Sequence, residues 1–506
     1  MTRKLNGFLV LNGAIDALDI SRLPKGLTGQ VEVERTSKAF RILDCHDQSL
    51  SSCGRILIES GGMLRLFQED GQVCVQRAAG KGRFVQELPD GPVRAALSDF
   101  PRLRALIEVG AGVFEQNAIV ILDDLQKTVV RGVAITLTSD ARQVTLVQLE
   151  RLRGYGGEFE KSCAALSLNC VKNADLGAVF TLLFPDQKVY QAKPSVQLGK
   201  NEPAIQAATD IIRTFLDVAR QNEAGVVADI DTEFLHDYRI SLRRVRSVLS
   251  LFKGVYSDDL TARLKRIFSD HMAPTGRLRD LDVHLLEKDN YFSLVPQSLH
   301  AGLEEMFSRF ETERRKERAK LSRRFRSASY KHAMQALSEE FQDHRNLEAG
   351  PTAETGAYDY ARALIWKRYR KVCKLARSIS RETPDDVVHE LRIHCKKLRY
   401  LMEFFAPLFD KAAFKIIIKP LKKLQDNLGN FNDCSVQQEA LLDLINQTTT
   451  RAGQTNGQLA MAAGGLIAVL SQRQQAERDR VVANFEHFDS PKIRRLFQSL
   501  FHASED

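Results

Sequence analysis

The chain has eight cysteines and not one pair at C-x-x-C spacing. That spacing argues against a zinc ribbon or a disulfide framework, and a reducing cytoplasm fits best. No apolar run approaches the roughly 18 residues that span a bilayer. The nearest, from Leu459 to Leu470, is short and glycine-rich. The N-terminus lacks the apolar core of a signal peptide and runs from Met1 directly into a strand-like Phe8–Leu11. Phosphate loops of the G-x-x-x-x-G-K-[ST] type, G-x-S-x-G elbows and H-E-x-x-H pairs are all missing, so a resident enzyme in the second half is not indicated. Histidines are present, but His389 and His394 point roughly 140° apart on a helix, a poor geometry for a shared metal. No cofactor or metal is expected.

What the chain does have is length, apolar content and an uneven positive charge. Its 506 residues, 43% of them hydrophobic, suffice for two or three cores. The net charge is +9. Residues 1–199 carry 24 Lys+Arg against 22 Asp+Glu, so most of the excess belongs to the remainder. An excess this modest implies anion binding by local focusing in a groove, not by a cationic tail.

The second half contains a repeat without gaps. His236, Asp237, Arg239, Arg243, Arg244 and Arg246 return 153 positions later as His389, Glu390, Arg392, Lys396, Lys397 and Arg399. Each copy is followed by a glycine and an aspartate, Gly276 and Asp280 in the first, Gly429 and Asp433 in the second. On a helix, His236, Arg239, Arg243 and Arg246 share one arc roughly 80° wide, while Val245, Leu249 and Phe252 form an apolar stripe elsewhere. His389, Arg392, Lys396 and Arg399 take the same places in the second copy, with Leu398, Met402 and Phe405 as the apolar set. Like charges at spacings of three and four repel and weaken a helix by a few tenths of a kcal/mol per pair, so something must offset them. An anionic ligand does so, and so do resident acids such as Asp237, Glu390 or Asp280. The Gly276–Asp280 and Gly429–Asp433 segments read as turns, with glycine as a left-handed cap and aspartate at the next helix start. Asp280 and Asp433 are also placed to hold stripe arginines by charge-assisted hydrogen bonds.

These two motifs resemble the CHAD family, the conserved histidine α-helical domain, over roughly residues 200–500. The resemblance implies an all-α fold of two pseudo-symmetric four-helix bundles around a basic groove, and binding of inorganic polyphosphate. Carried over residue by residue, the ligand positions are His236, Arg239, Arg243, Arg244, Arg246, His389, Arg392, Lys396, Lys397 and Arg399. Asp280, Asp433, Arg277 and Arg279 are supporting positions. Asn432 stands where the family often has arginine. The resemblance further implies recruitment to polyphosphate deposits or regulation by them. Protonation of His236 and His389 on meeting a polyanion would add two conditional cations and strengthen binding below about pH 7.

The first 200 residues change character. Val31–Arg35, Arg55–Glu59, Val73–Gln76, Ala118–Leu122, Val129–Leu137 and Val144–Leu149 read as short strands, with helices at 93–109 and 157–166. Together they predict an antiparallel α+β sheet or barrel over residues 1–192. A linker at 193–200 leads to an all-α domain at 201–500, with halves at about 201–340 and 355–500. Ile42–Leu50 followed by Gly54 resembles part of the CYTH, or triphosphate-tunnel, family, which often shares a chain with CHAD. Hydrolysis in such a tunnel needs several inward carboxylates for Mg²⁺ or Mn²⁺ and several cations for phosphate. Phe8–Leu11 offers no carboxylate, Leu57 and Glu59 replace the expected arginines, and Val31–Arg35 lies too near Asp44 for the intervening helix of that fold. The expectation is a degenerate CYTH-like domain, with an active triphosphate hydrolase as the alternative.

Nucleic-acid binding and a purely structural helical role are the other readings. The basic stripes carry no interleaved aromatic platform of the kind single-stranded nucleic acid uses, which favours a bare phosphate chain. The basic segment Glu311–Arg326 reads as a long exposed helix joining the halves.

Overall fold

The computed structural model describes the chain apart from residues 1–6, 79–81, 169, 172–175, 188, 381–382, 449–456 and 503–506. It divides into two units, Met1–Gln191 and Ala192–Asp506.

Among the described residues eight antiparallel strands build the first unit: β1 (Leu9–Asn12), β2 (Leu27–Asp44), β3 (Arg55–Ser60), β4 (Met63–Gln68), β5 (Val73–Arg77), β6 (Ile107–Asp123), β7 (Thr128–Ser139) and β8 (Arg142–Arg151). Their order is β1-β8-β7-β6-β2-β3-β4-β5. The sheet curls until the hairpin turn at Gly71 reaches Gln148 of β8, but β1 and β5 do not pair, so the barrel stays open. Helices α1 (Ser49–Ser52), α2 (Pro92–Ala96), α3 (Gly156–Ser167) and α4 (Gly177–Leu183) pad it. Alternation sends Phe40, Ile42, Ile56, Ile58, Phe114 and Leu137 to one face, where Val179, Phe180 and Leu183 of α4 fill the space.

Three details differ from the sequence expectations. The helix predicted at 93–109 stops at Ala96, and by Ile107 the chain is already strand. Pro101 follows too closely for the helix to continue, because a residue before proline is pushed out of the α region. Val31–Arg35 and Asp44 belong to the same uninterrupted strand, β2. Asp44 is fully buried, and its carboxylate accepts hydrogen bonds from the backbone N–H groups of Cys45 (2.8 Å), Leu50 (3.0 Å) and Ser51 (3.0 Å) and from Ser51 Oγ (2.9 Å). It clamps the start of α1 instead of facing a tunnel.

The second unit is helical: α5 (Ala204–Ala228), α6 (Thr232–Leu251), α7 (Asp258–Met272), α8 (Gly276–Leu286), α9 (Lys288–Leu294), α10 (His300–Arg326) and α11 (Ala328–Glu340), then α12 (Ala357–Ala376), α13 (Asp385–Phe405), α14 (Lys411–Thr448), α15 (Gly457–Asp479), α16 (Val481–Phe488) and α17 (Pro491–Phe501). No helix is long and apolar enough to cross a membrane among the described residues. The repeat helices are α6 and α13, and their apolar stripes enter one shared core containing Val245, Leu249, Phe252, Leu398, Met402 and Phe405. Phe252 and Phe405 hold the same place in the two copies and stack on each other, centroids 4.9 Å apart and planes 13° apart. Equivalent residues meeting face to face define a local pseudo-two-fold.

Helix α10 is less exposed than its charges suggest. Leu303, Met306, Phe307 and Phe310 are buried with Leu441, Leu459 and Leu466 of α14 and α15. Arg314 donates to Asp229 (2.8 Å) and Asp282 (2.6 Å), so part of the basic run is neutralised within the first half.

Asp44→Ala leaves three N–H groups unpaired, two of them buried, and should destabilise the sheet unit by about 3 kcal/mol. Amide exchange in the 45–51 segment of the full chain measures this, and unchanged protection there would contradict the clamp.

Candidate functional site

Helix α6 begins where the Asp231 carboxylate caps the N–H groups of Glu233 (2.9 Å) and Phe234 (3.3 Å), which sets His236 in the first turns and Arg239, Arg243 and Arg246 further along. With Phe252 on Phe405 fixing the two helices side by side, the basic faces converge. Arg243 and Arg244 of α6 and Arg392, Lys396 and Arg399 of α13 line a single pocket of about 200 Å³, together with Lys193, Ile240, Tyr400, Glu403, Gln425 and Gly429. Six cations therefore face one carboxylate.

The field there is strong enough to alter ionisation. Desolvation, followed by the charges of Arg243, Arg392 and Arg399, brings the Lys396 ammonium down to about 8. Arg239 is likewise pushed down by desolvation and by Arg243, although a guanidinium stays charged at any ordinary pH. Buried Nε atoms of Arg243, Arg244 and Arg399 and the buried Oε1 of Gln425 have no hydrogen-bond partner among the described residues. Such donors are costly to leave unmade, and an anion with several oxygens would satisfy the three guanidinium N–H groups.

The predicted residues fall into distinct situations. Arg244 acts as a strut. Its Nη2 donates to Glu403 at 2.8 Å across the two copies, and its guanidinium lies over Phe215 (4.8 Å) and Tyr400 (5.9 Å). The repeat partner of Arg244 is Lys397, but Ser250 stands where Glu403 would be. Among the described residues Lys397 makes no ion pair, the acid that acts on it is Glu390 of its own helix, and it does not line the pocket. Desolvation lowers its ammonium, as do Arg368, Lys371 and Lys253.

His236, Arg239 and Arg246 also lie outside the pocket lining. Arg239 Nη1 donates to Thr275 Oγ1 at 2.5 Å, and Arg246 Nη1 approaches Met272 Sδ at 3.5 Å. His389 donates from Nδ1 to Asn432 Oδ1 at 2.6 Å, so the asparagine found in place of arginine orients the imidazole.

The supporting residues surround this site. Desolvation raises the Asp280 carboxyl, against the pull of Arg239, Arg277 and Arg279. Asp433 stands 3.9 Å from Arg392. Arg277 is neutralised by Glu313 through two bonds of 2.7 and 2.6 Å, and Arg279 lies 3.9 Å from Glu233.

The left-handed glycine caps are not there. Gly276 has φ −62° and starts α8, and Gly429 lies inside the continuous α14. In the first copy the chain breaks just before the glycine, at Ala273–Thr275, which contains Pro274; the second copy has Asn427 at that place. Neither position requires a glycine for space: a Cβ on Gly276 would meet Arg239 Nη1 at an ordinary 3.8 Å, and Gly429, which lines the pocket, has no atom within 4 Å of its Cβ position.

Sequence reading missed Lys193, Glu403 and Gln425. Glu403 was readable as an i,i+4 partner of Arg399, and Gln425 as the residue one turn before Gly429. Lys193 precedes the first helix of its unit and carries no periodic signal.

Among the described residues no group of three or more His, Cys, Asp or Glu is arranged to hold a metal. His284 is buried against Phe310 and is pushed down to about 4 by desolvation, which makes it a core residue.

The helical unit is thus built from a duplicated motif around a cationic pocket. Residues 210–442 match the family model of the CHAD domain, and that segment contains both motifs. Among solved structures the chain is similar to the crystal structure of the CHAD domain from the plant Ricinus communis, at 24% identity and a TM-score of 0.49, covering 58% of this chain and 95% of that one. It is also similar to PptA from Streptomyces chartreusis, at 16% identity and a TM-score of 0.40, covering 56% and 99% respectively. No curated relative matches the chain.

Arg244→Ala removes the partner of Glu403 from the facing helix, leaving it only Arg399 Nε at 3.5 Å, and empties the space between Phe215 and Tyr400. A loss of about 2–3 kcal/mol in unfolding free energy is expected, read from the denaturation midpoint of the helical unit. Ser250→Ala, at the position that corresponds to Glu403 in the first copy, should change it by less than about 0.5 kcal/mol.

Proposed function

We propose that this protein binds inorganic polyphosphate in the pocket between α6 and α13. The observation that carries this is the convergence of Arg243, Arg392, Lys396 and Arg399 on one small space, with a buried Arg243 Nε that has no hydrogen-bond partner among the described residues and a lysine whose ammonium is already disfavoured. A chain of bare phosphates supplies oxygens and negative charge and asks for nothing aromatic. The match of residues 210–442 to the CHAD domain, a family associated with polyphosphate, points the same way. Arg243, Arg392, Lys396 and Arg399 grip the phosphates, and Arg244 holds the two helices in register. Recruitment to polyphosphate deposits, or regulation by them, follows from such binding.

The first unit, residues 1–192, fits a degenerate triphosphate-tunnel domain that does not hydrolyse its ligand. Its eight-stranded sheet has the curl of such a fold, but apolar side chains and α4 occupy the face where carboxylates and arginines would be needed. Triphosphate with Mg²⁺ or Mn²⁺ should release no phosphate above background, and robust turnover would overturn this part.

For the pocket, Arg392→Ala with Lys396→Ala should weaken polyphosphate binding at least about tenfold and flatten its salt dependence, since each lost contact releases fewer counterions. Equal affinity of the native chain for single-stranded DNA would favour the nucleic-acid reading instead.

The pH dependence follows from Lys396. Its ammonium is depressed to about 8 in the free protein, so below that pH it is already charged and its contribution to binding is constant. Above it, binding must take up a proton, and affinity should fall by up to about tenfold per pH unit. Lys396→Arg should abolish this alkaline limb, and persistence of the limb would rule out Lys396 as its source.

A further inference from the structure

A second cationic surface lies on the outer side of α12. A groove of about 1000 Å³ between α12 and α17 is lined by Trp366, Lys367, Arg370, Lys371, Lys374 and Arg377, with Arg494 on the opposite wall. Arg377 and Arg494 are engaged: both donate to the buried Asp489, at 2.8 and 2.9 Å. Lys367, Arg370, Lys371 and Lys374 are exposed and make no ion pair or hydrogen bond among the described residues. Their spacings of three and four put them on one helix face, along about 10 Å of axis. Four unneutralised cations in a row disfavour that helix unless an anion runs beside it.

This row connects to the motif. Lys371 and Arg368 act on Lys397, the motif lysine that is absent from the pocket lining. Arg368 Nη1 donates to His394 Nδ1 at 2.8 Å, and the other ring nitrogen meets Glu390 at 3.2 Å. That arrangement requires a neutral imidazole, consistent with the lowering of His394 by desolvation and by Lys371 and Arg368. The imidazole holds Arg368 in place on a ledge of cations that follows Lys397 away from Lys396. Lys396 and Lys397 are neighbours in sequence, one facing the pocket and one the ledge.

We infer that the α12–α17 groove is a second polyphosphate site, reached by a chain too long for the pocket along the ledge of Lys397, Arg368 and Lys371. The inference rests on the polyphosphate reading of the pocket. Two sites on one protein bind one long chain with an effective concentration that a short chain cannot exploit. Discrimination by length is then built into the surface, and the motif lysine outside the pocket has a role.

The full chain reports on this directly, because its only tryptophan, Trp366, lines the groove. The probes are long-chain inorganic polyphosphate, triphosphate and single-stranded DNA. The triple variant Lys367→Ala, Arg370→Ala, Lys374→Ala should bind the long chain about tenfold or more weakly and triphosphate unchanged. Replacing the two lysines by arginine should keep long-chain affinity. Trp366 emission should respond to the long chain but not to triphosphate at concentrations that fill the pocket. A triple variant with native long-chain affinity would overturn the proposal, and so would a Trp366 response to DNA as tight as that to polyphosphate. Failure of the pocket reading shows separately, as undiminished triphosphate binding by the Arg392→Ala, Lys396→Ala variant.

Discussion

Mutual repulsion among Arg243, Arg392, Lys396 and Arg399 is the constraint around which the helical unit is organised. Four cations do not gather in a 200 Å³ space unless something stronger holds them there. The holding force is apolar: the stripes of α6 and α13 bury Val245, Leu249, Leu398 and Met402 completely or nearly so, and Phe252 stacks on Phe405. Burying each such side chain contributes about 1.5–3 kcal/mol, which exceeds the few tenths lost per repelling pair along a helix. The core thus keeps the cationic pocket assembled before any ligand arrives. That is preorganisation: the charges need little further ordering when an anion enters.

Duplication explains how the site arises, and departures from symmetry explain what each copy contributes. A pseudo-two-fold through Phe252 and Phe405 places equivalent residues on equivalent sides. Yet Glu403 faces Arg244, while Ser250 is all that the first copy has at the matching position. One cross-link between the copies is therefore an ion pair with aromatic cover, and its counterpart, Lys397, is released to the outer face. Likewise Arg279 and Asn432 share a place in the repeat, but one lies near Glu233 and the other orients His389.

Much of this was legible in the chain. A shared 3.6-residue period for both cations and apolar residues located α6 and α13, their buried faces and their basic faces. Alternation located most strands of the first unit, although β4 escaped notice because Met63–Gln68 is flanked by turns on both sides. What the sequence could not convey was which equivalent residues would part company. Arg244 and Lys397 look alike in a motif, and only the presence or absence of a carboxylate on the facing helix separates strut from ledge. The glycines misled for a related reason: a left-handed cap and a glycine within a helix are written with the same letter. Asp44, read as part of a tunnel motif, turned out to satisfy backbone donors at a strand-to-helix corner.

The central claim is that a preassembled cluster of like charges waits for a phosphate chain. The ammonium of Lys396 is its most sensitive reporter. Its titration can be followed by NMR of selectively labelled lysine side chains, with and without polyphosphate. The account predicts a midpoint near 8 in the free protein and a clear upward displacement once polyphosphate is bound. A midpoint near the ordinary lysine value of about 10.4 in both states would mean that the cations do not converge, and would contradict it.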